Sequence, residues 1–255
     1  MSSYNKLISN LEILKLLKMK EYLFEYLEKH TNNSVSMVDT LIELTDKEIE
    51  FREERAANIN TKISNFPFYR EINDFDYKYQ PSINKQEIME LLSLDFVKLK
   101  ENILFIGSPG VGKTHLATTI GIQASKKRIS TYFIGFNTLI NKIKKSYLEN
   151  KSESIVKHYC KYKLLIIDEI GYMPIEKEYA HIFFQLIAGR YEKKSTIITT
   201  NQPLSKWGDI FNDHIIATVI VDRLVHHANI IKITGKSYRI KDHLVNEENE
   251  VPKRI

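Results

Sequence analysis

Eight consecutive residues constrain this chain more than anything else in it. Gly107-Ser108-Pro109-Gly110-Val111-Gly112-Lys113-Thr114 matches G-x-x-x-x-G-K-[ST], and it stands between an apolar run at 103–106 and a helical pattern over 115–127. A phosphate-binding loop requires that context. Its glycines let successive backbone N–H groups turn inward at a helix N-terminus, where the helix dipole favours negative charge. Lys113 then reaches the β- and γ-phosphates of a nucleoside triphosphate, and the Thr114 hydroxyl ligates Mg²⁺. A chain carrying this loop is built around a strand, the loop and a helix of a parallel sheet.

Downstream, short β-rich runs at 131–134, 164–167, 196–200 and 230–233 alternate with longer amphipathic stretches. With the run at 103–106 this predicts a parallel five-stranded sheet with helices on both faces, an α/β P-loop NTPase fold. The run at 164–167 ends in Asp168-Glu169, the form of a buried strand whose C-terminal tip delivers carboxylates to the ligand crevice. Asp168 is placed to hold the Mg²⁺, through water, and Glu169 to polarise the attacking water as general base. Its position 54 residues beyond Thr114 leaves room for the helix, strand and helix of such a core. Guanine recognition calls for Asn-Lys-x-Asp, and Asn141-Lys142-Ile143-Lys144 ends in Lys, so adenine is the expected base and ATP the expected nucleotide.

Before residue 100 the pattern is different. Residues 5–30 read as one helix and 38–58 as a second, with the polar breaker His30-Thr31-Asn32-Asn33-Ser34 between them; residues 66–81, rich in aromatics and acids, read as a connector. The division expected is a helical domain over 1–66, for partner, DNA or oligomer contacts, and an ATPase domain over 67–255. A single cysteine, Cys160, excludes an internal disulfide, and the leading residues mix Lys and Glu among leucines, unlike a signal peptide. With no apolar run long enough for a membrane span, a soluble cytoplasmic protein is expected. The net charge of +5 is uneven: residues 1–100 carry 14 Lys/Arg against 17 Asp/Glu, the rest 23 against 15.

Several features in one order resemble the AAA+ ATPases of the IstB/DnaC-like group, most closely the IstB-type helpers encoded beside an insertion-sequence transposase. They are Ile72-Asn73-Asp74-Phe75-Asp76-Tyr77, the loop through His115, the stretch 165–172, Arg190-Tyr191-Glu192 through Asn201, Trp207-Gly208, Asp222-Arg223-Leu224 with His226-His227-Ala228, and Gly235-Lys236-Ser237-Tyr238-Arg239. The resemblance implies that Asn201 is the sensor orienting the hydrolytic water. It also implies that Arg223 enters a neighbouring subunit's site, and that Arg239, with His115 and the loop, contacts nucleotide. The chain stops soon after Arg239, so a full C-terminal helical lid is not expected. His226 and His227, adjacent on a helix and without a cysteine cluster, read as structural.

What the resemblance implies is an ATP-hydrolysing regulator that forms a homo-oligomer on duplex DNA and assists a transposase. The alternative is a DnaC-type loader of a replicative helicase. Residues 120–163 hold ten Lys/Arg against two Glu, and Lys142, Lys144 and Lys145, beside Tyr147, are the candidate DNA contacts.

Overall fold

The computed structural model describes residues 2–30, 35–171 and 173–240. The breaker residues 31–34, Tyr172, and the stretch 241–255 that bears on a C-terminal lid lie outside the described residues. Two units are distinguished, 1–59 and 60–255.

In the first unit the single helix expected over 5–30 is two, α1 (Ser3–Ile13) and α2 (Leu17–Lys29), followed by α3 (Met37–Ile63), whose last four residues fall within the second unit. The break falls at Lys15, whose φ is 57°. Its physical reason lies elsewhere in the chain. A helix start leaves its first N–H groups without partners, and here the Glu48 carboxylate on α3 accepts from Lys18 N (2.8 Å) and Met19 N (3.2 Å) while pairing with Arg52 Nε at 2.8 Å. Leu11, Met19, Leu23, Tyr26 and Leu44 close a small core around it.

The second unit runs α4 (Lys85–Leu92), α5 (Asp95–Leu99), β1 (Asn102–Gly107), α6 (Lys113–Lys126), β2 (Thr131–Gly135), α7 (Phe136–Leu148) and α8 (Ser152–Cys160). It continues with β3 (Leu164–Ile170), α9 (Lys177–Arg190), β4 (Ser195–Thr200), α10 (Trp207–Phe211), α11 (His214–Val225) and β5 (Ala228–Ile233). All five strands are parallel, in the order β2-β3-β4-β1-β5. Side chains alternate across each strand. Ile103, Phe105, Leu164 and Ile166 enter one core with Leu116 and Ile120 of α6, whereas Leu104, Leu165 and Ile167 enter the other with Ile143, Phe183, Trp207 and Ile220. Both faces are covered, as a parallel sheet requires. Among the described residues no helix is long and apolar enough to cross a membrane.

One buried cation fixes a strand entry. Arg190, 1% exposed, ends α9 and donates Nε to Thr196 Oγ1 (3.0 Å), Nη1 to the carbonyls of Tyr159 and Tyr162 (2.8 and 2.9 Å), and Nη2 to Ser195 O. Burial pulls its pKa down to about 10.

Candidate nucleotide site

In open parallel sheets the ligand crevice lies beyond the C-terminal ends of the strands, and the candidate residues gather there. The loop leaves β1 at Gly107 and enters α6 at Lys113. Gly110 (φ +81°) and Gly112 (φ +101°) adopt left-handed backbone, and a Cβ would lie 1.9 Å from Ser237 Oγ at the first and 2.7 Å from Phe75 Cε2 at the second. Both conformation and space demand glycine. Gly107, Ser108 and Val111 contribute backbone, the Val111 side chain being 1% exposed in the core.

Lys113 Nζ donates to the carbonyls of Gly107 (2.7 Å) and Ser108 (2.8 Å). Burial lowers its pKa, against the pull of Asp168 and Glu169. From β3 the Asp168 carboxylate accepts from Thr114 Oγ1 at 3.0 Å and from Thr199 Oγ1 at 2.6 Å. Burial pushes the Asp168 pKa up, and those two hydroxyls act against it. A register shift between Ile167 and Ile170 interrupts the β3–β4 ladder at this point. There Glu169 takes φ 63°, its N–H donating to Thr199 Oγ1 at 2.8 Å, and its side chain is exposed toward the cavity. Bulges commonly re-aim a side chain beside a site in this way. Asn201, just past β4, borders the same cavity with a buried Oδ1 that has no partner.

The cavity encloses about 270 Å³. Lys113, Thr114, His115, Glu169, Asn201 and Arg239 all border it. Its far wall comes from the segment read as a connector: Phe68, Arg70, Asp74, Phe75 and Asp76. Phe75 is 5% exposed and packs edge-on to His115 at 5.3 Å. The segment 66–81 carries six aromatics and no long helix or strand, and such rings tend to pack against a neighbouring surface; that was the available signal. A strap after β5 completes the enclosure: Tyr238 N donates to Gly110 O (2.9 Å), Tyr238 Oη to Asp76 O, and Tyr79 Oη to Ser237 O (3.2 Å).

Arg223 stands apart from this cavity. It lies in the last turn of α11, and the Leu224 carbonyl accepts from Asn102 Nδ2 (3.0 Å) at the first residue of β1, the opposite edge of the sheet from the loop. A six-residue strand, roughly 16 Å long, lies between that backbone contact and the loop. The guanidinium covers the Phe184 ring at 4.5 Å, its Nη1 is buried without a partner, and no ion pair with Asp222 forms.

Lys142, Lys144 and Lys145 lie on α7 and divide between two sides. Lys142 and Lys145 border a cleft with Lys151, while Lys144 is 3.8 Å from Glu176 and over the Tyr179 ring. His226 and His227 do not diverge as adjacent helical residues do, because α11 ends at Val225 and the two rings converge at 4.0 Å. Glu192 comes to 3.6 Å from His227 Nε2, and Tyr191 Oη is 2.6 Å from His226 Nδ1. All of Glu192, His226 and His227 are exposed.

The family model of the IstB-like ATP binding protein matches residues 9–246. An insertion sequence IS232 protein of Bacillus thuringiensis subsp. berliner, named for ATP binding, is 51% identical over 97% of this chain and 99% of its own length. A counterpart named for insertion sequence IS5376, from Geobacillus stearothermophilus, is 39% identical over 89% of each chain. Among solved structures, the DnaC helicase loader superposes with a TM-score of 0.51 at 25% identity, covering 68% of this chain and 98% of that one. A phosphate loop under Lys113, carboxylates on β3 and relatives matched over nearly their full length lead to one assignment: the chain belongs to the family of IstB-like ATP binding proteins.

Proposed function

We propose that this chain hydrolyses ATP with Mg²⁺ and uses the cycle to assemble as a homo-oligomer on duplex DNA and assist a transposase. The observation that carries the ATPase part is the convergence of Lys113, Thr114, Glu169 and Asn201 on one cavity at the C-terminal edge of the sheet, with the buried Asp168 carboxylate hydrogen-bonded to Thr114. The insertion-sequence names of the relatives support the transposition part.

The chemistry follows from the chain's own groups. The Lys113 ammonium, now held by two loop carbonyls, transfers to phosphate oxygens when these enter the loop. Thr114 Oγ1 and the Asp168 carboxylate, 3.0 Å apart, are the hard oxygen donors that Mg²⁺ prefers, so they would hold it. When bound, Mg²⁺ neutralises charge on the β- and γ-phosphates. Glu169, exposed to the cavity at its bulge, accepts a proton from the attacking water. The Asn201 amide can donate to a phosphate oxygen and accept from that water. Arg239 adds positive charge at the cavity, and it acts to lower the Lys113 pKa. Arg223, beside a backbone contact about a strand length from its own chain's loop, is suited to a neighbouring subunit's nucleotide, where a guanidinium offsets charge on the transferring phosphoryl. Lys142, Lys144 and Lys145 are the proposed DNA contacts on α7.

The likeness to a helicase loader keeps a second reading, delivery of a replicative helicase. A reconstituted DNA-insertion assay with the transposase of the same element separates them. Insertion products should rise with this protein and ATP together, and unchanged insertion at saturating protein would overturn the transposition reading.

A further inference from the structure

Six lysines, Lys98, Lys100, Lys127, Lys163, Lys193 and Lys194, surround one cavity of about 390 Å³ in the ATPase unit. Lys163 and Lys194 immediately precede β3 and β4, and Lys100 precedes β1 by two residues. The ring therefore lies at the N-terminal edge of the sheet, away from the nucleotide cavity. It also belongs to the α5 and α6 side, whereas α7 packs its core residues on the other face.

Cations at helix C-termini have an ordinary explanation, since the dipole favours them there. It covers Lys98 and Lys100 at the end of α5 and Lys127 at the end of α6. It extends to Lys193 and Lys194, whose N–H groups both donate to Arg190 O at the end of α9 (3.0 and 2.9 Å), whereas Lys163 stands at a strand entry three residues past α8; what it leaves unexplained is that all six gather on one cavity. Among the described residues only Lys98 of the six has a carboxylate partner, Asp95 at 2.7 Å. Six like charges around one cavity with one acid beside them are an uncompensated field.

The residues around the cavity decide what fits. Single-strand sites interleave aromatic rings with cations, and no aromatic borders this one. Base reading uses Arg, Asn or Gln in bidentate geometry, and none is present. An acidic peptide with an apolar anchor needs an open apolar floor, but of the three apolar residues here Leu94 and Val97 are only 2% and 6% exposed, which leaves Ile129 alone part-exposed. What remains is lysine, a point-charge binder of phosphate without geometric preference.

We propose that this lysine ring is a second contact for the phosphate backbone of duplex DNA, separate from α7. It rests on the DNA part of the proposed function and adds a site to it. The test measures affinity of the full chain, with ATP and Mg²⁺, for a fluorescent duplex of random sequence across a range of KCl concentrations. Each lost phosphate contact removes about 0.9 from the slope of log K against log salt. A Lys163→Gln/Lys193→Gln/Lys194→Gln protein should lose about 2.7 from the slope, and ATP binding should stay unchanged. The Lys98→Gln/Lys100→Gln/Lys127→Gln protein, altered on the other side of the ring, should lose a similar amount. Either decrement should add to that of Lys142→Gln/Lys145→Gln, because the two surfaces belong to different faces. A wild-type slope in both ring variants overturns the proposal, as does a polyglutamate peptide that binds the parent and not the variants while the DNA slope is unchanged. If the parent itself fails to bind duplex at low salt, it is the DNA reading that falls.

Discussion

At the scale of single residues the nucleotide site rests on two side chains with separable duties. In the proposed function Lys113 supplies positive charge to the phosphates, and it does so from a largely buried position, 8% exposed. Lys113→Ala should weaken ATP binding by roughly 10- to 100-fold, the scale of a lost charged hydrogen bond; an unchanged dissociation constant in calorimetry would remove the assignment of the loop. Glu169 is exposed and has no role in the core. Glu169→Gln keeps shape and loses basicity, so ATP should still bind while turnover falls about 10²-fold or more. Parental turnover in that variant would assign the base elsewhere. Both residues were legible in the sequence because the loop and the run before Asp168 are local patterns. The wall of Phe68, Phe75 and Tyr238 was not, since it is assembled by contacts such as Tyr238 with Gly110 between segments over a hundred residues apart.

At the scale of elements, periodicity identified all five strands, because each is a short apolar run bounded by turns. It did not find the break between α1 and α2. That break depends on Glu48, about thirty residues away, accepting from the first amides of α2. Burial acts to raise the Glu48 pKa, and the Arg52 pair with the two amides outweighs it and holds the carboxyl below its ordinary value. A carboxyl with a lowered folded pKa stabilises fully above its unfolded pKa and stops doing so as pH falls through the folded one. The earliest thermal transition of the full chain should therefore move to lower temperature as pH drops through the carboxylate range. Glu48→Gln should flatten part of that dependence, and identical pH profiles for the two proteins would contradict this account of the break. Arg190 was equally hidden: in sequence it is one more basic residue near a helix end, and only the packed fold shows four acceptors around it.

At the scale of the whole molecule, the backbone beside Arg223 meets the first residue of β1 while the phosphate loop follows its last, and the proposal draws on this in giving the arginine to a neighbouring chain. Arg223→Ala should bind ATP and hydrolyse it poorly. Mixed with the Lys113→Ala protein it should regain some activity, because interfaces pairing an intact loop with an intact arginine can form. No recovery at any ratio, with mixed assembly verified separately, would return Arg223 to a role inside its own subunit. The central claim is that ATP drives assembly on DNA, and sedimentation velocity tests it most directly, run with and without ATP and with and without duplex. The account predicts small species in the absence of ATP and a large protein–DNA assembly only when both are present. A sedimentation profile unchanged by ATP and duplex together would contradict it.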